Sequence, residues 1–405
     1  MKKSRSWIVL MLFLGSILLI IQPANASENC WSEMAPIQPK FYATLGAAVV
    51  NGSIYFIGTK INEQYDPQTN TWTSKTPSPI AFDYNSAAVT SCQNKIYAIG
   101  GTVNMVYDPA TDTWENKTAM PTVRYTNDAN VVDEKIYVIS GQIPAALGVI
   151  WASNATEVYD PENDSWSELA PIPKPVVGYA SAVLDNKIYI IGGRDGDPDR
   201  LALNLVQIYD LETNQWTQGI PLEEPVAGAA ATATTGLMAP KRIYVIGGNI
   251  INAGHYVRFS DHTQIYDPQT QSWSFGAQMP TGRTDLALVN VNDTLYALGG
   301  TNKTVSVMVP GGASQQEWDA AWDKIASMRT HANERYLPLG YGTMPPPASS
   351  PSPSETQNPA APLTPSPSNP ELPSWIPMLL FVLGLLVVAL AVYKRRMFKT
   401  PIHYN

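Results

Sequence analysis

Cysteine, histidine and charge are all scarce in this chain of 405 residues, which holds two Cys, four His and 15% charged side chains. Two Cys cannot build a disulfide-dense scaffold, and so few Cys and His exclude a zinc array. Positive charge is the scarcer sign: 26 Lys and Arg stand against 34 Asp and Glu, a formal charge of -8. That balance excludes a nucleic-acid binder whose affinity rests on clustered Lys and Arg. No metal or cofactor is expected. Apolar and aromatic residues are plentiful instead, at 44% hydrophobic with 11 Trp and 20 Tyr, so a core can form and whole-chain disorder is excluded.

Long apolar runs are confined to the two ends. Lys2, Lys3 and Arg5 precede a run from Trp7 to Ile21, and Ala24-Asn25-Ala26 follows with small residues where a signal peptidase reads. Residues 1–26 are expected to be a secretory signal cleaved before Ser27; an uncleaved anchor helix is the alternative. The second run, 375–393, carries no charge and at about 1.5 Å per residue matches one hydrocarbon thickness. Trp375 and Tyr393 flank it, and Lys394, Arg395, Arg396 and Lys399 follow, which predicts a transmembrane helix with 394–405 as a cytoplasmic tail. Between this span and the body of the chain, residues 342–374 contain 11 Pro among Ser, Thr and Ala, a composition that favours an extended stalk. The expected layout places 27–341 outside the cell, held on a stalk at the membrane.

The body, 27–341, is periodic at about fifty residues, and the period decides the fold. Six apolar segments end in Tyr and then Gly: Tyr55 with Gly58, Tyr97 with Gly100-Gly101, Tyr137 with Ser140-Gly141, Tyr189 with Gly192-Gly193, Tyr244 with Gly247-Gly248 and Tyr296 with Gly299-Gly300. Five Tyr-Asp pairs begin at Tyr65, Tyr107, Tyr159, Tyr209 and Tyr266, and each Tyr is followed seven residues later by Trp72, Trp114, Trp166, Trp216 or Trp273. Alternation such as Lys187-Ile188-Tyr189-Ile190-Ile191 is strand-like, Asp66 to Asn70 is turn chemistry, and a Pro closes each unit. Four antiparallel strands per unit result, and one such sheet cannot hide both faces, so the units must stack. The sixth unit lacks its Trp strand, whereas Trp31 and Pro36 at the N-terminus lack a unit. Residues around 30–36 are therefore expected beside Tyr336, closing the ring and satisfying two sheet edges at once.

These motifs resemble the kelch repeat, with its Gly pair, Tyr-Asp and Trp at near-constant spacing, over roughly residues 30–342. The resemblance implies an all-β, six-bladed kelch-type β-propeller closed by the N-terminal strand. Thr59 and Ser140 depart from the Gly pair, and blade six carries an insertion at 301–334. In such a propeller the loops between second and third strands share one face with the blade connections. They are long in blades three (142–157), four (194–205), five (249–263) and six, so that face is where binding is expected. Its candidates are Trp151, Arg194, Arg200, His255 and Arg258, with a solvated loop as the alternative for each. Asp195, Asp197 and Asp199 read as a solvated acidic turn rather than a calcium loop.

Kelch units often begin the innermost strand with Arg near the channel. Here Arg124 and Arg283 stand at that position, with Tyr42 and Tyr84 in blades one and two. The arginines are candidates for holding a carboxylate or sulfate and the tyrosines for stacking on a sugar; backbone bonding around the channel is the alternative. Trp318 and Trp322 lie on one face of a short predicted helix in the blade-six insertion, packing on the propeller or facing a partner. Asn51, Asn116, Asn154, Asn163, Asn292 and Asn302 are candidate glycosylation sites, and Cys30 and Cys92 a candidate disulfide or two thiols. Two functions stay open: a cell-surface module binding a protein or carbohydrate, and a metal-free epimerase- or mutarotase-like enzyme at the channel mouth. A ubiquitin-ligase adaptor role, common among cytoplasmic kelch proteins, conflicts with the expected compartment.

Overall fold

The computed structural model describes residues 28–38, 44–79, 87–125, 128–143, 151–195, 201–251, 257–302 and 329–342. All lie in one compact unit, 1–347. Among the described residues there is no α-helix, and none long and apolar enough to cross a membrane; the segments 1–26 and 375–393 lie outside them.

Six four-stranded antiparallel sheets form the blades. Blade one shows the plan: an inner strand Thr44–Val50, a second Ser53–Gly58, a third Ile61–Asp66 and an outer Thr71–Ser74. Blades two to five repeat it in chain order, and blade six takes Ala287–Val291, Thr294–Leu298 and Asn333–Leu337, then Cys30–Glu33 from the other end of the chain. Trp31 pairs with Tyr336, as the orphaned Trp predicted.

The fixed interval from Tyr to Trp has a physical cause. In Tyr65-Asp66, the Asp carboxylate accepts the Gln68 N–H and closes the turn, and Asn70 adopts a left-handed conformation with φ 55°. The Tyr65 hydroxyl donates to Asn70 at 2.7 Å, and the ring packs on Trp72 with centroids 4.9 Å apart. Asn70 and Trp72 then reach the preceding blade together: Asn70 accepts the Ala35 N–H and Trp72 donates its indole N–H to the Ala35 carbonyl, both at 2.8 Å. Asp112 with Trp114, Asp164 with Trp166, and Asn214 with Trp216 repeat this two-point staple on Thr76, Thr118 and Ala170. One inserted residue would break all of these bonds at once.

At the closing blade the staple comes from the N-terminus. Asn29, with φ 53°, takes the hydroxyl of Tyr336 and the N–H of Ala277, and Trp31 donates to the Ala277 carbonyl. The core is distributed in the same way, as six apolar clusters, one at each blade-to-blade seam. The seam between blades six and one joins Phe56 and Tyr65 to Val289 and Leu298.

Near the axis the inner strands crowd, which selects small residues: a Cβ on Gly46 would lie 2.9 Å from that of Val89. The Gly pair has a related cause. Gly192 has φ +65°, and a Cβ there would lie 2.4 Å from the Val226 carbonyl oxygen. Ser140 occupies the matching place in blade three with φ 55°, and its hydroxyl lies 2.8 Å from the Ser153 and Val176 carbonyls and accepts the Val176 N–H.

Cys30 and Cys92 are not joined in a disulfide. Cys30 pairs with Leu337 at the outer edge of blade six, whereas Cys92 is buried in the inner strand of blade two with its thiol on the Glu134 carbonyl. Of the two alternatives the two thiols hold, because the fold puts the residues at opposite depths of different blades.

Candidate functional site at the channel mouth

Antiparallel pairing sets the start of each inner strand beside the end of the second strand, as Ala180 faces Ile191. The start of every inner strand, the Gly pairs and the long loops therefore share one end of the propeller. Two of those loops extend as hairpins, Gln142–Ile143 with Trp151–Ala152 in blade three and Asn249–Ile251 with Val257–Phe259 in blade five. Tyr125 bonds to Gln142 through both backbone groups at 2.8 and 2.7 Å, so blade three carries a three-membered ribbon. Trp151 on that ribbon is 62% exposed, and Tyr125 and Val123 are exposed too.

Along the axis runs a cavity of about 380 Å³ walled by the inner strands. Its wall is mostly Ala, Val and Gly, and its polar residues include Asp128, Asn130, Ser181, Thr232, Asp285 and Asn290. Asn130 and Ser181 exchange hydrogen bonds at 2.8 and 3.1 Å. Asp128 accepts the backbone N–H groups of Ser181 and Ala129. Burial nevertheless pushes its carboxyl up to about 6, against the hydrogen bonds that favour its charge.

Asp285 sits at the rim. It holds φ 52° where blades four and five hold Gly178 and Gly228 at 61° and 66°. These residues are chained round the mouth: Gly228 donates to the Gly178 carbonyl at 2.6 Å and Asp285 to the Gly228 carbonyl at 2.8 Å. Burial raises the Asp285 carboxyl, opposed by the charges of Arg329 and Arg194. Arg329 is in turn lowered by burial, opposed by Asp285, and its guanidinium donates to the Thr301 hydroxyl at 2.8 Å. Asp285 thus brings a carboxylate, acted on by the charges of Arg329 and Arg194, to the place where blades four and five have glycine.

The expected site residues divide. Trp151, Arg194 and Arg258 lie on this face; Tyr42, Tyr84, Arg200, His255, Trp318 and Trp322 lie outside the described residues. Arg258 holds Glu224 at 2.9 Å, and His262 approaches the other oxygen of Glu224 at 2.5 Å, which ties the blade-five hairpin to its base. Asp195 is paired with Lys174 at 3.0 Å.

Arg124 and Arg283 correct the sequence reading. Both are 0% exposed. Arg124 is paired with Glu157 and donates to the Ser140, Thr122 and Val138 carbonyls; Arg283 is paired with Glu334 at 2.5 Å and donates to the Thr281 and Ala297 carbonyls. They close blade connections and offer no guanidinium to a ligand. Sequence reasoning missed Asp128, Asp285 and Arg329. Asp285 was detectable as a charge at the place of Gly178 when blades four and six are aligned on their second-strand Tyr189 and Tyr296. Of the sequons, Asn51, Asn116, Asn154, Asn163 and Asn292 are exposed and Asn302 half-buried.

The raised acids give the fold a pH signature. An acid whose folded pKa lies above its unfolded value is penalised when charged, so stability is greatest below the unfolded value and falls as pH rises through the folded one. For Asp128 that window runs from 3.8 to about 6. Asp128→Asn is expected to remove this term, so its stability relative to the native chain increases across the window, read from urea midpoints between pH 4 and 7. A difference that stays constant across the window would contradict the assignment.

A closed ring of stapled blades with a polar mouth defines a propeller of the repeat type. The KLHDC2/KLHL20/DRC7 Kelch-repeats domain matches residues 47–218 and 86–300, and the chain belongs to the kelch-repeat family. It is 26% identical to the human Kelch repeat and BTB domain-containing protein 12, over 48% of this chain and 33% of that protein. It is 28% identical to Kelch-like protein terF of Aspergillus terreus, over 51% and 46%, and 27% identical to Beta-scruin of Limulus polyphemus, over 44% and 19%. The chain thus spans less than half the length of these relatives. The solved structure of YjhT shares the fold, with TM-score 0.58 and 17% identity over 67% of this chain and 93% of that one. Kelch propellers typically mediate protein binding.

Proposed function

We propose that the protein is a cell-surface binding module that presents its channel-mouth face to an extracellular protein or carbohydrate. The observation that carries this is the blade-three ribbon, where Trp151 and Tyr125 stand exposed on a backbone-bonded platform beside the mouth. Rigidly mounted aromatics of this kind dominate binding energies at protein interfaces. The signal at 1–26, the stalk at 342–374 and the span at 375–393 would hold the propeller outside the membrane, with 394–405 in the cytoplasm. Exposed sequons suit that compartment.

The test is to display the full chain on cells, screen surface proteins and glycans, and repeat with Trp151→Ala. For a ligand on this face the loss is expected to be on the order of thirtyfold or more, the weight of an aromatic anchor of about 2 kcal/mol. Ligands unaffected by Trp151→Ala would place binding elsewhere.

A second reading has its own observation. Asp128, raised to about 6 inside a cavity of about 380 Å³, is suited to moving a proton on a small polar ligand near neutral pH. This reading takes the protein as a metal-free enzyme that epimerises or mutarotates an acidic sugar, with Arg194 and Arg329 on the rim to orient the carboxylate. Anomer exchange followed by NMR would show an ionisation near pH 6 that Asp128→Asn abolishes; exchange at the uncatalysed rate would dismiss it.

A further inference from the structure

The end of the propeller opposite the mouth is built from two-residue turns between first and second strands, such as Asp133-Glu134 and Asp185-Asn186, with both residues left-handed. Blade five departs from this. Its inner strand ends at Ala233 and its second strand begins at Ile243, and the intervening loop is held from within. Asp293, fully buried in the turn of blade six, accepts the backbone N–H groups of Thr235, Leu237, Met238 and Ala239 and the Thr235 hydroxyl. Thr234 bonds across the base of the loop to the Pro240 carbonyl. The loop is thus fixed, yet it turns Leu237 and Met238 outward at 53% and 40% exposure.

The last described stretch of the chain arrives at this loop. Leu339 is 46% exposed, its carbonyl accepts from Arg242, and Gly342 donates to the Met238 carbonyl at 2.7 Å. Leu237, Met238 and Leu339 therefore form an apolar platform at the point where the chain leaves the propeller. The residues that follow are Thr343-Met344-Pro345-Pro346-Pro347. A Pro run favours polyproline II, which has little conformational entropy left to lose on docking and rises about 3.1 Å per residue, enough for three prolines to cross a platform of this kind.

We propose that Met344–Pro347 dock on the platform formed by Leu237, Met238 and Leu339. The rigid loop exists to hold the first residues of the stalk. This goes beyond the binding reading, since the docking stands whether the mouth binds a protein or turns over a sugar.

The test uses the full chain in detergent. Leu237→Cys with Pro346→Cys is expected to form an intramolecular disulfide on mild oxidation, located by nonreducing peptide mass mapping, because bridging requires the two Cα atoms within about 7 Å. Leu237→Cys with Ser354→Cys is expected to bridge far less. Equal yields from the two pairs, no bridge in either, or a dimer joined through Leu237→Cys would overturn the proposal, the last by giving the platform to a second copy. A readout without new thiols is the peroxide oxidation rate of Met344, which Leu237→Glu with Leu339→Glu is expected to raise several-fold while the thermal midpoint stays near that of the native chain. An unchanged rate in a folded variant would also overturn it.

Discussion

Trp31→Ala is expected to lower stability by about 3 kcal/mol, the low end for loss of a Trp because this one is only half-buried. The reason lies in where the residue acts. Its ring packs on Tyr336 with centroids 5.1 Å apart, and its indole N–H holds the Ala277 carbonyl of blade five. The same segment also holds blade one, since Ala35 bonds to both Asn70 and Trp72. One short strand therefore secures two of the six seams. Unlike the other outer strands it has no covalent neighbour in its own sheet, so once loosened it leaves whole, exposing an unpaired edge and the apolar cluster beneath. Trp114→Ala removes an equivalent ring and bond within a continuous blade and is expected to cost less. Thermal unfolding of the full chain is the measurement, with a midpoint drop of roughly 5–10 °C for Trp31→Ala. Deletion of residues 28–37 is expected to abolish the cooperative transition. Retention of that transition, or equal losses for Trp31 and Trp114, would refute the closure.

The architecture was legible because its signals are structural and repeated. Tyr65, Asp66, Asn70 and Trp72 each make a bond that fixes the spacing, and the same bonds recur around the ring. Even the closing strand could be placed, because a missing Trp in the last unit and a surplus Trp31 are a deficit and an excess of one motif. The site was less legible for the converse reason. Asp128 and Asp285 stand where other blades carry Ala180 or Gly178, so they are exceptions to the repeat, and nothing in a linear reading marks an exception until the blades are superposed. Arg194 was found because it lies in a long loop. Arg329 was missed because it lies at the far end of the blade-six insertion, where the repeat gives no frame. Arg124 and Arg283 were placed correctly in the fold with ligand holding and backbone bonding both left open, because a position in a repeat fixes neither burial nor partner; the structure takes the second.

The partners were in fact visible. Two residues before the third-strand Tyr stand Glu157 in blade three and Glu334 in blade six, whereas blades four and five have Gln207 and Gln264. In these four blades the choice tracks the inner-strand residue: Arg124 and Arg283 accompany the glutamates, Val176 and Val226 the glutamines; in blade one Glu63 instead accepts from the Ser74 hydroxyl, and blade two has Met105. Three of the four do one job. Glu157 accepts the N–H of Thr122, Gln207 that of Lys174 and Gln264 that of Glu224, and each glutamine also donates to the carbonyl of the residue it caps. An amide closes the connection with its own donor and acceptor, whereas a carboxylate brings a charge that must be matched, and the arginine supplies the match. Removing one member is then far worse than removing both. Glu157→Gln leaves the Arg124 charge buried without its counter-charge and is expected to cost about 3–5 kcal/mol, as is Arg124→Val, which strands the carboxylate. Arg124→Val with Glu157→Gln installs in blade three the solution blade four already uses. It trades an ion pair and its desolvation for an amide cap, and the double variant is expected to lie within about 1–2 kcal/mol of the native chain despite the lost carbonyl bonds of the guanidinium. Urea unfolding of the two single variants and the double variant gives the coupling energy directly. Losses that simply add would mean that Arg124 and Glu157 act independently, and that the pairing of Arg with Glu and of Val with Gln in blades three to six has no energetic cause.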